Sequence, residues 1–204
     1  MNLTPSLGSF DLKSAQKEAL PTCNGFILQN FFSKQDCASF IAECEVKSFQ
    51  PLPNTSLENY RTNSRISILD PSLAKVLWKR IVTFLPPTIQ YEGSNWVLNS
   101  INEHIRFCKY ETGQFFDRHI DGHLMTEDGK QSFYTLMIYL NDVSADAGGK
   151  TRFYSHDGKG LVIDHVYQPR CGDCICFDQE KLHDGEKIHN GLKYIMRTEV
   201  LYAK

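Results

Sequence analysis

The second half of the chain alternates short apolar segments with turns, and this pattern limits the fold more than any other feature. Each segment is rich in β-branched and aromatic residues, and clusters of Gly, Asp and Asn separate it from the next. The six predicted strands are residues 105–110, 133–140, 150–154, 160–167, 173–177 and 192–202. Short strands with turn signals between them are typical of a β-sandwich or barrel of the jelly-roll type.

A strand and two amphipathic helices are predicted before this region. Residues 25–28 form the strand, and Ser33 with Asp36 three residues later predicts a capping box at the start of the first helix. Asp70 caps the second helix, with Pro71 at its first position, where a missing N–H costs nothing. Apolar residues at helical spacing predict the buried faces: Cys37, Phe40, Ile41 and Cys44, then Leu73, Val76, Leu77, Ile81, Phe84 and Leu85.

These elements predict an α+β fold in which N-terminal helices support a double-sheeted β core. At 204 residues the chain is expected to form one domain over 23–204, with helical support at about 25–90 and the jelly roll at about 95–204. Residues 1–22 are polar and show little periodicity, so we expect a flexible arm there.

Charge and cysteine content restrict the partners and the compartment. The 22 basic and 24 acidic residues give a net charge of -2, so nucleic acid and anionic membranes are not expected partners. Seven cysteines without a regular spacing favour a reducing compartment over a disulfide framework. The N-terminus lacks a secretory pattern, and the longest apolar run, 133–140, is far shorter than the roughly 20 residues of a membrane span. We therefore expect a cytoplasmic protein. The sequence does not indicate its oligomeric state.

Three residues form a candidate metal site. His119 and Asp121 are two apart at the end of a strand-like run, so both side chains can lie on one face. A lone H-x-D pair arises often by chance, but His183 lies near the end of another predicted strand. Two histidines and one carboxylate on one side of an iron ion leave adjacent positions for a chelating 2-oxo acid and O₂.

Residues around this site provide candidates for binding such an acid. Lys193 follows His183 by ten residues, and a cation inside an apolar barrel requires an anionic partner, which the far carboxylate of 2-oxoglutarate would supply. Tyr110 could donate its hydroxyl to a carboxylate, and Thr135 and Tyr139 share one strand face. The alternative interpretations are that Lys193 is a solvated lysine on a strand, and that Tyr110 and Tyr139 only pack in the core.

A series of motifs over residues 104–202 resembles one known family. The chain is similar to the prolyl 4-hydroxylase-like branch of the iron(II)/2-oxoglutarate-dependent oxygenases. The matching pieces, in order, are residues 106–110 with Gly113, 116–121, 136–141, 148–153, Pro169 with Gly172, 183–185 and the segment from Gly191. The segment from Tyr194 to Tyr202 departs from the animal collagen and oxygen-sensing hydroxylases, which leaves the substrate open.

This resemblance implies a double-stranded β-helix with iron at His119, Asp121 and His183, and with 2-oxoglutarate held by Lys193 with help from Tyr110 and Tyr139. Its cofactors are Fe(II), 2-oxoglutarate and O₂, with ascorbate as an accessory cofactor to be tested. The implied reaction is hydroxylation of an unactivated C–H, by default on a prolyl residue of a protein or peptide, with release of succinate and CO₂. A small-molecule or free amino-acid substrate, or a jelly-roll binding module without catalysis, are the alternatives.

Several residues have competing assignments. Arg197 shares a strand face with Lys193 and is a rival anchor for 2-oxoglutarate, because a guanidinium pairs with a carboxylate through two bonds. The segment 50–65, with Arg61 and Arg65, is a lid or a solvated loop. The local rivals for the metal are a zinc half-site among Cys171, Cys174 and Cys176, and a triad in which His123 replaces His183.

Overall fold

The computed structural model describes residues 7–8, 15–52 and 60–204 of the chain. Its strands are β1 (Lys17–Leu20), β2 (Gly25–Leu28), β3 (Gln50–Pro51), β4 (Ser64–Leu69), β5 (Thr88–Tyr91), β6 (Ser94–Ile101), β7 (His104–Glu111), β8 (Phe116–His119), β9 (Gln131–Tyr139), β10 (Thr151–His156), β11 (Leu161–Tyr167), β12 (Cys174–Asp178), β13 (His183–Gly185) and β14 (Leu192–Ala203). The two α-helices within these ranges are α1 (Lys34–Lys47) and α2 (Pro71–Ile81). No helix among the described residues is long and apolar enough to cross a membrane.

Two antiparallel sheets form the core. The major sheet has the order β1-β2-β12-β9-β14-β7-β4-β3, and β6 extends it beside β14 and carries β5. The minor sheet has the order β11-β10-β13-β8. Phe153 and Tyr167 of the minor sheet pack against Tyr139, Ile175 and Phe177 of the major sheet, so one apolar layer lies between the two. This arrangement confirms the predicted α+β fold with a jelly-roll core.

The helices cover the outer face of the major sheet. Ser33 accepts a hydrogen bond from the Asp36 backbone N–H (3.0 Å), and Asp36 accepts one from Ser33 N–H (3.1 Å), which confirms the predicted capping box. Asp70 accepts from the Leu73 N–H at 2.9 Å and caps α2, as predicted. The Phe40 ring of α1 lies 6.0 Å from that of Phe107 on β7.

The N-terminal expectation is wrong where the structure describes it. Lys17–Leu20 is a strand paired with Gly25–Leu28, and Leu20 is buried, so residues 15–22 are not a loose arm. Residues 1–6 and 9–14 of the expected arm lie outside the described residues. The strand is ordered because it completes the edge of the major sheet beside β2.

The segment 50–65 is likewise more structured than the expected loop at its two ends. Gln50–Pro51 pairs with Ser64 and Arg65 of β4. Residues 53–59, the middle of the expected lid, lie outside the described residues. Strands β4, β5 and β6 were also not predicted from the sequence.

Candidate metal centre

Two strands of the minor sheet bring the predicted ligands together. His119 ends β8 and His183 begins β13, and the two are direct partners in the antiparallel register. Asp121 follows β8, and its backbone N–H donates to the Gln179 carbonyl at 2.8 Å. One ligand atom from each of the three residues lies within 4.8 Å of the others, and all three residues are buried.

Backbone contacts orient the two imidazoles. The Nδ1 atom of His119 lies 2.7 Å from the Asp117 carbonyl, and that of His183 lies 2.8 Å from the Lys181 carbonyl. A carbonyl oxygen only accepts, so each Nδ1 carries a proton, and Nε2 is the atom through which each ring can bind a metal. The Phe116 ring stacks on His119 with centroids 3.6 Å apart and stabilises its plane.

The charge states of the centre suit a metal ion. Burial raises the pKa of Asp121, but Arg197, His119, His183 and Thr135 more than offset it and leave the pKa well below its usual range. Burial lowers the pKa of His183 to about 4, so its imidazole is neutral at neutral pH. One carboxylate and neutral imidazole are the protonation states that metal coordination requires.

The three residues fit a small divalent ion. His119 Nε2 lies 3.5 Å from Asp121 Oδ1, and His183 Nε2 lies 3.9 Å from Asp121 Oδ2. Ligands about 2.1 Å from one ion lie about 3 Å apart when adjacent, so a small contraction closes the site. Donors come from one side only, and the remaining side faces a cavity whose wall also contains Tyr110, Lys193 and Arg197. Such a facial set with open positions is the arrangement used by non-haem iron oxygenases.

Lys193 lies in the wall of the same cavity and is buried. Its ammonium donates to the Gly149 carbonyl at 2.7 Å and lies 5.6 Å from the centre of the Tyr110 ring. Among the described residues no carboxylate forms an ion pair with it, and burial lowers its pKa to about 8. A buried cation without an anionic partner is costly, which indicates that an anionic ligand occupies the cavity.

Two glycines form the turn that contacts the Lys193 side chain. Gly148 and Gly149 both have positive φ angles, of 73° and 70°. A Cβ at Gly149 would lie 2.4 Å from Ile188 Cδ1, and a Cβ at Gly148 would lie 2.3 Å from the Lys187 carbonyl. Only glycine fits both positions, and this turn presents the carbonyl that holds Lys193.

The remaining predicted residues lie at different depths. Tyr110 lines the cavity, whereas the Tyr139 hydroxyl donates to Thr151 Oγ1 at 2.7 Å. Thr151 lines the cavity, so Tyr139 lies behind it. Arg197 is turned toward the metal ligands, and its terminal nitrogen lies 2.7 Å from Asp121 Oδ1. Of the two rival anchors, Lys193 is therefore the one without a carboxylate partner.

The structure does not form the two alternative metal sites, one with His123 and one with cysteines, among the described residues. His123 contacts the Ser132 carbonyl at 2.7 Å and Glu180 at 3.3 Å, away from His119 and Asp121. Cys174 and Cys176 are fully buried in β12, and the thiol of Cys171 donates to the Leu140 carbonyl at 3.3 Å. Neither set is among the metal-holding groups of the described residues.

Arg61, which the sequence places in a lid or a solvated loop, is a cavity residue. Arg61 lies in the cavity wall with its guanidinium 4.3 Å from the Phe116 ring centre. Its position follows from an isolated β-bridge with Phe116 and from Asn63, whose amide oxygen accepts from Arg61 Nε at 2.6 Å. Neither contact has a signature in the sequence.

The sequence comparison agrees with this geometry. Residues 105–198, which carry His119, Asp121, His183 and Lys193, match the model of the 2OG-Fe(II) oxygenase superfamily. That part of the chain is similar to this superfamily. A curated relative, the probable prolyl 4-hydroxylase 9 of Arabidopsis thaliana, is 31% identical over 116 residues, which is 47% of this chain and 40% of the relative. The chain thus matches well under half of the length of that relative.

Solved structures of prolyl hydroxylases share the fold. The viral collagen prolyl hydroxylase of Paramecium Bursaria Chlorella virus-1, in its 2-oxoglutarate complex, is 20% identical with a TM-score of 0.61, and the match covers 87% of this chain and 95% of that one. A Trichoplax adhaerens prolyl hydroxylase in complex with a hypoxia inducible factor peptide fragment is 18% identical with a TM-score of 0.63, covering 89% and 85%. At these identities the likeness supports the fold alone.

Proposed function

We propose that the protein is an Fe(II)- and 2-oxoglutarate-dependent dioxygenase that hydroxylates an unactivated C–H, by default on a prolyl residue of a peptide. One observation carries the proposal: a buried His-Asp-His set and a buried, unpaired lysine line the same cavity. A structural zinc site would need a fourth protein ligand, and none of the described residues completes one.

The protein residues would hold and orient the metal. His119 and His183 would bind it through Nε2, and Asp121 through one carboxylate oxygen. Thr135 donates to Asp121 Oδ2 at 2.5 Å and Arg197 to Oδ1, so the carboxylate cannot rotate freely. When bound, iron and 2-oxoglutarate supply the oxidation: O₂ gives one oxygen atom to succinate, with loss of CO₂, and one to the substrate C–H.

Lys193 would bind the far carboxylate of 2-oxoglutarate. Its ammonium already lies in the wall, and the Gly149 carbonyl satisfies one of its three N–H donors. Tyr110 lies beside it and can donate its hydroxyl, since burial raises the pKa of that group and keeps it protonated. Tyr139 would act indirectly, by orienting Thr151.

Apolar side chains would exclude water from the reacting atoms. Phe116, Met137, Phe177 and Ile195 line the cavity between the metal ligands and Lys193. A dry site strengthens the interaction of Lys193 with a carboxylate and protects reactive species from solvent. The similarity to prolyl hydroxylases supports a prolyl residue as the substrate.

The test is an anaerobic titration of the protein with Fe(II) and 2-oxoglutarate, read by the visible charge-transfer band of a metal-chelated 2-oxo acid. We expect a band in the wild type, no band in His183→Ala, and an unchanged band in the matched control His123→Ala. In Lys193→Ala the dissociation constant of 2-oxoglutarate should rise about 10- to 100-fold, because a charge-assisted hydrogen bond is lost. A folded, metal-loaded wild type without any band would refute the oxygenase assignment.

A further inference from the structure

The cavity contains two guanidinium groups that the binding of 2-oxoglutarate does not require. Arg61 and Arg197 line it together with Lys193. Arg197 lies on β14 of the major sheet, whereas Arg61 precedes β4 and forms an isolated bridge with Phe116. Both groups act on Tyr110: burial raises the pKa of this phenol, and Arg61 and Arg197 oppose the rise. Tyr110 lines the same cavity as the two cations.

Arg61 is fixed without the help of any acidic residue. Its Nε donates to Asn63 Oδ1 at 2.6 Å, one terminal nitrogen contacts Cys108 Sγ at 3.5 Å, and the Phe116 ring covers one face. No carboxylate of the described residues forms an ion pair with it. Because Asn63 is completely buried, the guanidinium is held in place by a neutral and rigid support.

Arg197 is only partly satisfied. One terminal nitrogen donates to Asp121 Oδ1 at 2.7 Å, but its buried Nε has no hydrogen-bond partner among the described residues. Asp121 must also serve the metal, so it cannot neutralise Arg197 completely. An unpaired N–H of a buried cation costs free energy unless a ligand completes it.

The charges do not balance when only the metal and 2-oxoglutarate are bound. Asp184 also faces the cavity, but Arg152 pairs with both of its oxygens at 2.9 and 2.7 Å. A divalent ion, Lys193, Arg61 and Arg197 then face Asp121 and the two carboxylates of 2-oxoglutarate. Positive charge remains in excess whichever cation holds 2-oxoglutarate, and a buried excess favours a further anion.

We propose that Arg61 and Arg197 form an anion subsite that binds a carboxylate of the substrate, next to the carbon to be hydroxylated. This inference rests on the proposed oxygenase function and specifies its substrate class: a compound with a free carboxylate within a few bonds of the reacting C–H. Arg61 is the principal specificity residue, because it touches no metal ligand. Arg197 contributes its free Nε–H while it orients Asp121.

The carboxylate has two chemical sources, and matched compounds separate them. A free amino acid or carboxy-terminal residue is represented by N-acetyl-L-proline, with N-acetyl-L-proline amide as its uncharged partner. An acidic side chain is represented by an amidated peptide containing Asp-Pro, with the Asn-Pro peptide as its partner. Dissociation constants are measured by calorimetry on the protein loaded with Fe(II) and 2-oxoglutarate under nitrogen, so that no turnover is needed.

We expect the acid of one pair to bind about 10- to 100-fold tighter than its amide, as for a charge-assisted contact. Arg61→Gln should remove most of this preference, and Arg61→Lys should restore part of it. The matched control is Arg118→Gln, which removes one exposed charge outside the cavity and should keep the preference. Under air, Arg61→Gln should raise KM for the acid more than it lowers kcat.

Equal binding of acid and amide in both pairs, including no binding of either, would overturn the subsite. A preference that survives Arg61→Gln would also overturn it. These outcomes are distinct from a failure of the proposed function, because the 2-oxoglutarate band is measured without any substrate. A wild type that shows the band but binds acid and amide equally would contradict only the anion subsite. The proposed oxygenase function would remain supported.

Discussion

At the scale of single residues, the proposed binding role of Lys193 follows from its burial. The ammonium lies in the cavity wall with one carbonyl partner, and burial lowers its pKa from 10.5 to about 8. The same desolvation that destabilises the free ammonium strengthens its attraction to a carboxylate that enters the cavity. The residue therefore favours the ligand-bound state over the free state.

The lowered pKa of Lys193 predicts how 2-oxoglutarate affinity depends on pH. The ligand binds the ammonium form, so affinity should be constant below about pH 8 and fall above it, by up to about tenfold per pH unit. At pH 8.5 binding should take up protons, which calorimetry of the Mn(II)-loaded protein in buffers of different ionisation enthalpy measures. Lys193→Arg keeps its charge and should show no such loss up to pH 9. Proton release on binding to the wild type would contradict the assignment of Lys193.

Single residues also show what sequence reasoning could reach. His119, Asp121 and His183 were predictable, because a spacing of two on a strand places side chains on one face and the metal chemistry selects their types. Arg61 was not, because its direction depends on a bridge to Phe116 and on Asn63. Tyr139 was placed in the correct strand, but its hydroxyl bonds Thr151 and lies one layer behind the cavity wall rather than in the cavity.

At the scale of elements, the strands with strong apolar patterns were predicted and the polar ones were not. Strand β9 is buried at every position, and its apolar run was evident in the sequence. Strands β4 and β6 contain Ser, Arg and Asn among their apolar residues, and only two of their residues are buried, so propensity alone does not distinguish them from loops. Tertiary pairing with β7 and β14 makes them strands.

The capping box of α1 gives a prediction for an element far from the cavity. Ser33→Ala removes the acceptor for the Asp36 N–H and should cost about 1 kcal/mol of unfolding free energy. For a domain of this size the melting temperature should fall by about 2–4 °C. Ser39→Ala is the matched control, because this mid-helix hydroxyl only bonds back to the Gln35 carbonyl and alanine favours the helix.

Thermal melting followed by circular dichroism measures both α1 variants. Equal losses in the two would show that the capping box does not stabilise the helix. Because α1 packs on the outer face of the major sheet, away from the cavity, 2-oxoglutarate affinity should be the same in both variants. A change in that affinity would show that α1 is coupled to the metal centre.

At the scale of the whole molecule, a large apolar core offsets the cost of a charged cavity. One apolar cluster lies between the major sheet and the helices, and a second lies between the two sheets around the cavity. Like charges of Lys193, Arg61 and Arg197 repel each other in the free protein, and anions that enter relieve this repulsion. A site built for ligands is expected to lower the stability of the free protein.

This trade-off predicts opposite effects of one substitution in the free and the loaded protein. In the wild type with Mn(II), 2-oxoglutarate at 100 times its dissociation constant should add about 2.7 kcal/mol of stability, or roughly 5–10 °C in melting temperature. Lys193→Met removes a buried charge while it keeps an unbranched side chain of similar length. It should melt at a higher temperature than the wild type without ligand at pH 7, and gain little from 2-oxoglutarate.

Without ligand, Lys193→Met can melt above or below the wild type, and the direction decides between two roles for Lys193. Its pKa is lower in the folded chain than in the unfolded chain, so the charged form disfavours folding below about pH 8, and this cost disappears as the pH rises toward 10.5. A ligand-free Lys193→Met that melts below the wild type would mean that the bond to the Gly149 carbonyl outweighs desolvation. The lysine would then be a structural residue, and the anion it faces in the cavity would no longer be needed to explain its burial.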